Sequence, residues 1–96
     1  MFKPLDPLLH SQLRLAIMSL LINVEEAEFT YIKEKTGATA GNLSVQVNKL
    51  KNAGYIKVEK SFRDNYPLTQ CSITKDGINA FETYLTALQS YIKPEN

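Results

Sequence analysis

The sequence predicts a mostly α-helical domain carrying one β-hairpin, in the order helix, helix, helix, hairpin, helix. Three observations predict it. Apolar residues recur at helical spacing between Leu9 and Val24, between Leu43 and Leu50 and between Ile78 and Ile92. A period-two stretch sets Ile56, Val58 and Phe62 against Tyr55, Lys57, Glu59 and Ser61, and residues suited to a turn, Asp64-Asn65-Tyr66-Pro67, follow it. Capping residues and glycines fall at the boundaries between these stretches.

The first helix has two candidate starts: Asp6-Pro7, with Asp as N-cap and Pro at the first helical position, and Ser11, which would leave residues 6–10 as a separate turn. Leu9, Leu13, Ile17, Leu20, Leu21 and Val24 form one stripe, and Leu15, Met18 and Ile22 add a second. A helix apolar on two sides packs between neighbours or between subunits. Glu25-Glu26-Ala27-Glu28 reads as a polar connector. Thr30 is expected to cap a short second helix over about Tyr31–Lys35, with Phe29 and Ile32 inward and Gly37 ending it. Thr39 caps a third helix from Ala40 to Asn52, stopped by Ala53-Gly54. The period-two stretch reads as a half-buried strand that turns and returns over about Leu68–Ile73, with Cys71 and Ile73 inside, and Thr74 caps a last helix of about Lys75–Ile92. The tail from Lys93 to Asn96 is expected to fray. Two helices joined by a short glycine-containing turn make a helix-turn-helix, and a hairpin directly after the second is a wing. The expected architecture is therefore a winged helix-turn-helix.

At 96 residues the chain is read as one domain, residues 1–96. Its 44% apolar and 22% charged residues are ordinary for a globular protein, which sets aside disordered and membrane classes. The longest apolar run, Leu15–Ile22, is broken by Ser19 and falls short of the roughly eighteen residues that span a bilayer. MFKPLDPLLH lacks the features of a signal peptide, so the expected location is the cytoplasm, without a membrane partner. Cys71 and His10, one of each, make neither a disulfide framework nor a four-ligand zinc site, so neither metal nor cofactor is expected. Cys71 reads as a buried strand residue, with a redox switch as its competing reading. His10 has no nucleophile beside it, and no phosphate-cradling glycine loop or nucleophile elbow occurs, so an enzyme is not expected.

Net charge is only +1, but it is unevenly distributed. From Lys33 to Arg63 there are seven basic residues and two acids, a balance of +5, while the remainder carries four basic and eight acidic residues, a balance of −4. One face suited to a polyanion follows. Leu43, Val47 and Leu50 bury one side of the third helix. The opposite side carries Gly41, Val45, Asn48 and Asn52, with Asn42, Ser44 and Lys49 beside it. No Asp or Glu occurs from Thr36 to Tyr55. Amides and hydroxyls can address base edges, Val45 a thymine methyl, Lys49 a phosphate, and Gly41 allows the backbone close. The competing reading is an amphipathic helix with an uncharged outer face. On the hairpin, Lys57, Lys60 and Arg63 approach a tip carrying Asn65 and Tyr66, a pattern that suits phosphates or a minor groove. Its competing reading is a solvated hairpin whose charges protect its edge. On the last helix Ile78, Phe81, Leu85, Leu88 and Ile92 are spaced as a heptad seam, widened by Tyr84 and Tyr91. Part closes the core. Leu9, Leu13, Phe81, Tyr84, Leu85, Leu88, Tyr91 and Ile92 are expected at a homodimer contact, with residues 75–92 as the dimerisation helix.

The run Thr39-Ala40-Gly41-Asn42-Leu43-Ser44, with Lys49-Leu50 and Ala53-Gly54-Tyr55-Ile56, resembles the small winged-helix transcriptional regulators of bacteria and archaea related to the MarR and ArsR groups. Leu5-Asp6-Pro7, His10-Ser11 and Arg14-Leu15-Ala16-Ile17 resemble that family's first helix. Lys60-Ser61-Phe62, Pro67 with Thr69, and Thr74 with Gly77 resemble its wing and last helix, so the likeness covers about residues 5–90. It implies a homodimer on duplex DNA with the third helix in the major groove, Asn42, Ser44 and Gln46 on the reading helix, and Lys49 near phosphate. The family often has His at Gln46, Leu at Val47 and a basic residue at Leu68, so base preference and wing affinity are expected to differ here. ArsR-like sensors bind metal through Cys or His clusters, which this chain lacks.

The function expected is a DNA-binding transcriptional repressor acting as a homodimer, with the recognition helix over residues 39–52 and the wing over 61–68. The wing residues expected at DNA are Lys60, Arg63 and Asn65. An unidentified small-molecule effector is a further candidate partner. The alternative is a winged-helix protein-interaction module, and RNA binding is a lesser variant without stacked strand aromatics to support it.

Overall fold

A computed structural model describes residues 1–93. The element order is α1 (Gln12–Leu21), β1 (Ala27–Glu28), α2 (Phe29–Thr36), α3 (Ala40–Asn52), β2 (Ile56–Arg63), β3 (Tyr66–Ile73) and α4 (Lys75–Ile92). This is the winged helix-turn-helix the sequence predicts. Pro94, Glu95 and Asn96 of the tail expected to fray lie outside the described residues.

Both candidate starts of the first helix are used, for different purposes. Asp6 closes a single turn, accepting from the Leu8 amide on Oδ1 at 2.9 Å and from the His10 amide on its carbonyl at 2.9 Å. Ser11, in extended conformation, is the N-cap of α1. The helix stops at Leu21, so Val24, expected on its inner stripe, is exposed.

The segment read as a polar connector also carries a strand: Ala27 and Glu28 form β1, antiparallel to β3 with Ala27 opposite Cys71 and Glu28 opposite Gln70. That pairing also moves the start of α2. Glu28 must stay extended to pair with Gln70, so the helix begins at Phe29, two residues before the expected start, with no side-chain cap. Thr30 therefore lies inside the helix. Gly37 ends it at φ 71°, a left-handed conformation that favours glycine. Thr39 then caps α3 by accepting from the Asn42 amide at 3.2 Å.

The sheet order is β1-β3-β2. Asp64 and Asn65, at φ 50° and 68°, form a two-residue turn whose positive φ angles match the right-handed twist of the flanking strands. The turn is shorter than expected, because Tyr66 and Pro67 already belong to β3. Pro67 is tolerated there because β1 covers β3 only at Gln70 and Cys71, which leaves the wing half of β3 with a free edge. Phe62 has the phase of Ile56 and Val58, but it lies beyond the core. Ile56 is buried, Val58 half-buried and Phe62 76% exposed.

The core gathers Ile17, Met18 and Leu21 from α1, Ile32 from α2, Leu43, Val47 and Leu50 from α3, Ile56 and Cys71 from the sheet, and Phe81 and Tyr84 from α4. Burial pushes the Cys71 thiol pKa up. Gly77 lets α4 touch the start of the hairpin: a Cβ there would stand 2.1 Å from the Tyr55 carbonyl oxygen. The same carbonyl accepts from the Thr74 amide at 3.0 Å, and the Thr74 hydroxyl donates to the Gly54 carbonyl at 2.6 Å. Residues before α1 lie along α4, where Phe2 stacks on Tyr91 at 4.9 Å and the Tyr91 hydroxyl donates to the Lys3 carbonyl at 2.8 Å. The molecule extends 59 × 25 × 21 Å. Among the described residues no helix is long and apolar enough to cross a membrane.

Candidate nucleic-acid interface

Leu43, Val47 and Leu50 anchor α3 on the core. Their burial turns Gly41, Asn42, Ser44, Val45, Asn48, Lys49 and Asn52 to solvent, as their spacing predicts. Val45 is 50% exposed, an apolar contact point in a polar face. A Cβ at Gly41 would meet nothing within 4 Å, so glycine leaves the helix backbone open on its outer side. Thr39 and Ala40 are exposed at the N-terminal end, where a recognition helix addresses bases.

Gln46 differs from the expectation of a free base-reading side chain. It is half-buried, accepts on Oε1 from Arg14 Nη1, and donates from Nε2 to Asn42 Oδ1 at 3.1 Å. Arg14 also donates from Nε to the Leu8 carbonyl at 2.6 Å. The sequence reading missed Arg14 as a site residue. Its signal was its isolation: it is the only charged residue in α1, and a half-buried charge needs a partner.

Lys33 and Lys35 lie in the last turn of α2, and Lys49 and Lys51 in the last turn of α3. All four are exposed, where they also offset the negative end of each helix dipole. The first turns of α2 and α3 contain no acid. The wing is less cationic than its composition suggests. Lys57 pairs with Glu59 at 3.2 Å, and Arg63, expected at DNA, pairs with Glu28 at 3.3 Å. Among the described residues Lys60 forms no ion pair. Asn65 and Tyr66 are exposed at the tip.

The residues expected at a subunit contact divide. Leu9, Phe81 and Tyr84 close the domain's own core instead, because the apolar arc of α4 faces inward through Gly77, Phe81, Tyr84 and Ala87. Leu13 and Leu88 are half-buried, and Leu85, Tyr91 and Ile92 remain exposed. His10 is exposed and shares a hydrogen bond between Nδ1 and the Tyr84 hydroxyl at 3.0 Å. The Tyr55 hydroxyl donates to Asp6 Oδ2 at 2.6 Å, which, with burial second, pushes the Tyr55 pKa up to about 12. No group of three or more His, Cys, Asp or Glu suited to a metal comes together among the described residues.

Residues 13–92 match a family model described as a winged helix DNA-binding domain. An uncharacterized protein of Methanocaldococcus jannaschii is 37% identical over 76 residues, covering 79% of this chain and 83% of its own length. A transcriptional regulator homologue from Pyrococcus horikoshii superposes with a TM-score of 0.82 at 30% identity, over 88% of this chain and 84% of that one. The fold is also shared, at 14% identity and a TM-score of 0.71, with Bordetella bronchiseptica BpsR, whose DNA binding is regulated by 6-hydroxynicotinic acid; the match spans 96% of this chain and 72% of BpsR. With a helix-turn-helix, a wing and this match over most of its length, the chain belongs to the winged helix DNA-binding domain family and is a DNA-binding regulator.

Proposed function

We propose that residues 1–96 act as one domain of a homodimeric cytoplasmic repressor that reads duplex DNA with α3 in the major groove. The observation that carries this reading is the outer face of α3. It is exposed, free of acid, built of amides, a hydroxyl and one valine, and flanked by Lys49 and Lys51. Thr39, Gly41, Asn42, Ser44, Val45 and Asn48 address the bases, with Lys49 at phosphate. The first turn of α3 holds no acid and its N-cap is Thr39, which leaves its positive end available to the backbone. Lys60 and Asn65 bring the wing to the backbone or the adjacent minor groove, with Arg63 joining once it leaves Glu28.

The exposed stripe of Leu85, Tyr91 and Ile92, with half-buried Leu88 beside it, supports a two-fold contact through residues 75–92, whereas Leu13 lies beside Thr36, Ala38 and Asn42. The regulation of BpsR by 6-hydroxynicotinic acid supports a small-molecule effector for this chain as well. The test is selection of duplexes from a random library, with sedimentation of the protein alone. Palindromes with half-sites about 10 base pairs apart, and twice the protomer mass, are expected. Single half-sites bound by a protein of one protomer mass would contradict the dimer. No enriched duplex would contradict sequence-specific binding.

A further inference from the structure

Building on the reading of α3 as the DNA-reading helix, we propose that Arg14 is a positioning residue for base recognition. Through Gln46 it turns Asn42 so that this side chain offers the major groove N–H donors alone. The base edge that fits is guanine, with its two acceptors, rather than adenine.

Donor and acceptor chemistry fixes which atoms of these side chains face one another. A guanidinium has donors and no acceptor. The Gln46 atom that meets Arg14 Nη1 is therefore its oxygen. That orientation points Gln46 Nε2 the other way, toward Asn42 at 3.1 Å, and an amide NH2 requires an acceptor in front of it. The Asn42 oxygen must take that place. Each amide in the chain is thus oriented by the donor-only group at its start, and the Leu8 carbonyl holds that group from behind at 2.6 Å.

Asn42 lies in the first turn of α3, with its backbone amide already held by Thr39 at 3.2 Å and its side chain exposed. An asparagine with both amide atoms free reads adenine by donating to N7 and accepting from N6. Here Oδ1 is drawn along the helix toward Gln46, one turn on, which takes it out of the fork that adenine needs. Nδ2 remains. Guanine presents N7 and O6 to it, both acceptors, whereas adenine sets its own N6 donor against it.

The test is duplex selection with the wild type, Asn42→Ala, Arg14→Met and Gln46→Glu. At the base pair whose preference disappears in Asn42→Ala, the wild type is expected to favour guanine over adenine by roughly five- to tenfold. Arg14→Met releases both amides and should bring that ratio close to one. Gln46→Glu keeps a partner for Arg14 but places an acceptor before Asn42. Asn42 should then turn its oxygen outward, and cytosine or adenine should replace guanine. If Arg14→Met does not fold, Gln46→Glu decides. A wild type that selects adenine at this position, or no position sensitive to Asn42→Ala, would overturn the relay and leave DNA binding standing. So would a guanine preference unchanged in every folded relay variant. A wild type that binds no duplex at all would overturn the DNA-binding reading, and this proposal with it.

Discussion

The Tyr55 hydroxyl donates to the Asp6 carboxylate at 2.6 Å across 49 positions of sequence. Tyr55 opens the hairpin, and its carbonyl also receives the Thr74 amide that starts α4. One residue thus joins the turn before α1, the base of the wing and the last helix. Tyr55→Phe is expected to lower stability by about 1.5–3 kcal/mol, the range for a hydrogen bond to a charged group. The sign with pH follows from the raised pKa. The neutral phenol is favoured by the fold, so the contribution is complete below about pH 10 and fades as pH rises toward about 12. Thermal melts of both proteins from pH 8 to 11 should show a constant gap that narrows only above pH 10. A gap that is constant to pH 11 would contradict the assignment.

Gly77 and Gly41 are expected to respond to alanine in opposite ways. At Gly77 the new Cβ meets backbone at 2.1 Å, so Gly77→Ala should destabilise by roughly 1–3 kcal/mol despite alanine's better helix propensity. At Gly41 nothing stands within 4 Å, so Gly41→Ala should gain roughly 0.5–1 kcal/mol. Its methyl, however, faces the bases in the proposed complex. Denaturant titration should therefore show Gly41→Ala more stable than the wild type, while duplex affinity falls. Gly41→Ala binding as tightly as the wild type would place the backbone of α3 away from DNA.

Lys49 and Lys60 are expected to act through phosphate. Lys49→Ala should weaken binding to all duplexes alike and reduce the slope of log affinity against log salt by about one. On the wing, Lys60→Ala should matter more than Arg63→Ala, because Arg63 must first leave Glu28. Affinities measured across a salt series check both. A larger loss from Arg63→Ala than from Lys60→Ala would contradict this order.

Cys71 is 1% exposed, and its thiol is held in the protonated form by burial. A disulfide reagent at neutral pH should label it only as fast as the protein unfolds. Rapid labelling of the folded protein would contradict its place in the core and revive the redox reading.

The legible parts of the fold are those written in local chemistry. Thr39 and Thr74 cap the helices they were expected to cap, and Gly37 ends α2 in the left-handed conformation. What was missed depends on distant partners. Ala27 and Glu28 carry no periodicity and are a strand only because Cys71 and Gln70 lie beside them. Alternation gave Phe62 its phase but cannot say where the core stops. The heptad spacing of α4 marks an apolar arc. It does not say that Phe81 and Tyr84 face inward while Leu85 and Ile92 stay outside. On α3 the exposed face was legible from Leu43, Val47 and Leu50. The hold of Arg14 on Gln46 was not, because it joins side chains 32 positions apart.

Binding of duplex DNA by the outer face of α3 is decided by fluorescence anisotropy of a labelled random-sequence duplex at about 50 and about 200 mM salt, with the wild type compared with Asn48→Glu. The wild type should bind in the micromolar range at low salt and weaken steeply at high salt, and a carboxylate in the middle of the reading face should abolish binding while the fold melts as before. Equal binding by Asn48→Glu, or no wild-type binding at low salt, would contradict that role of α3.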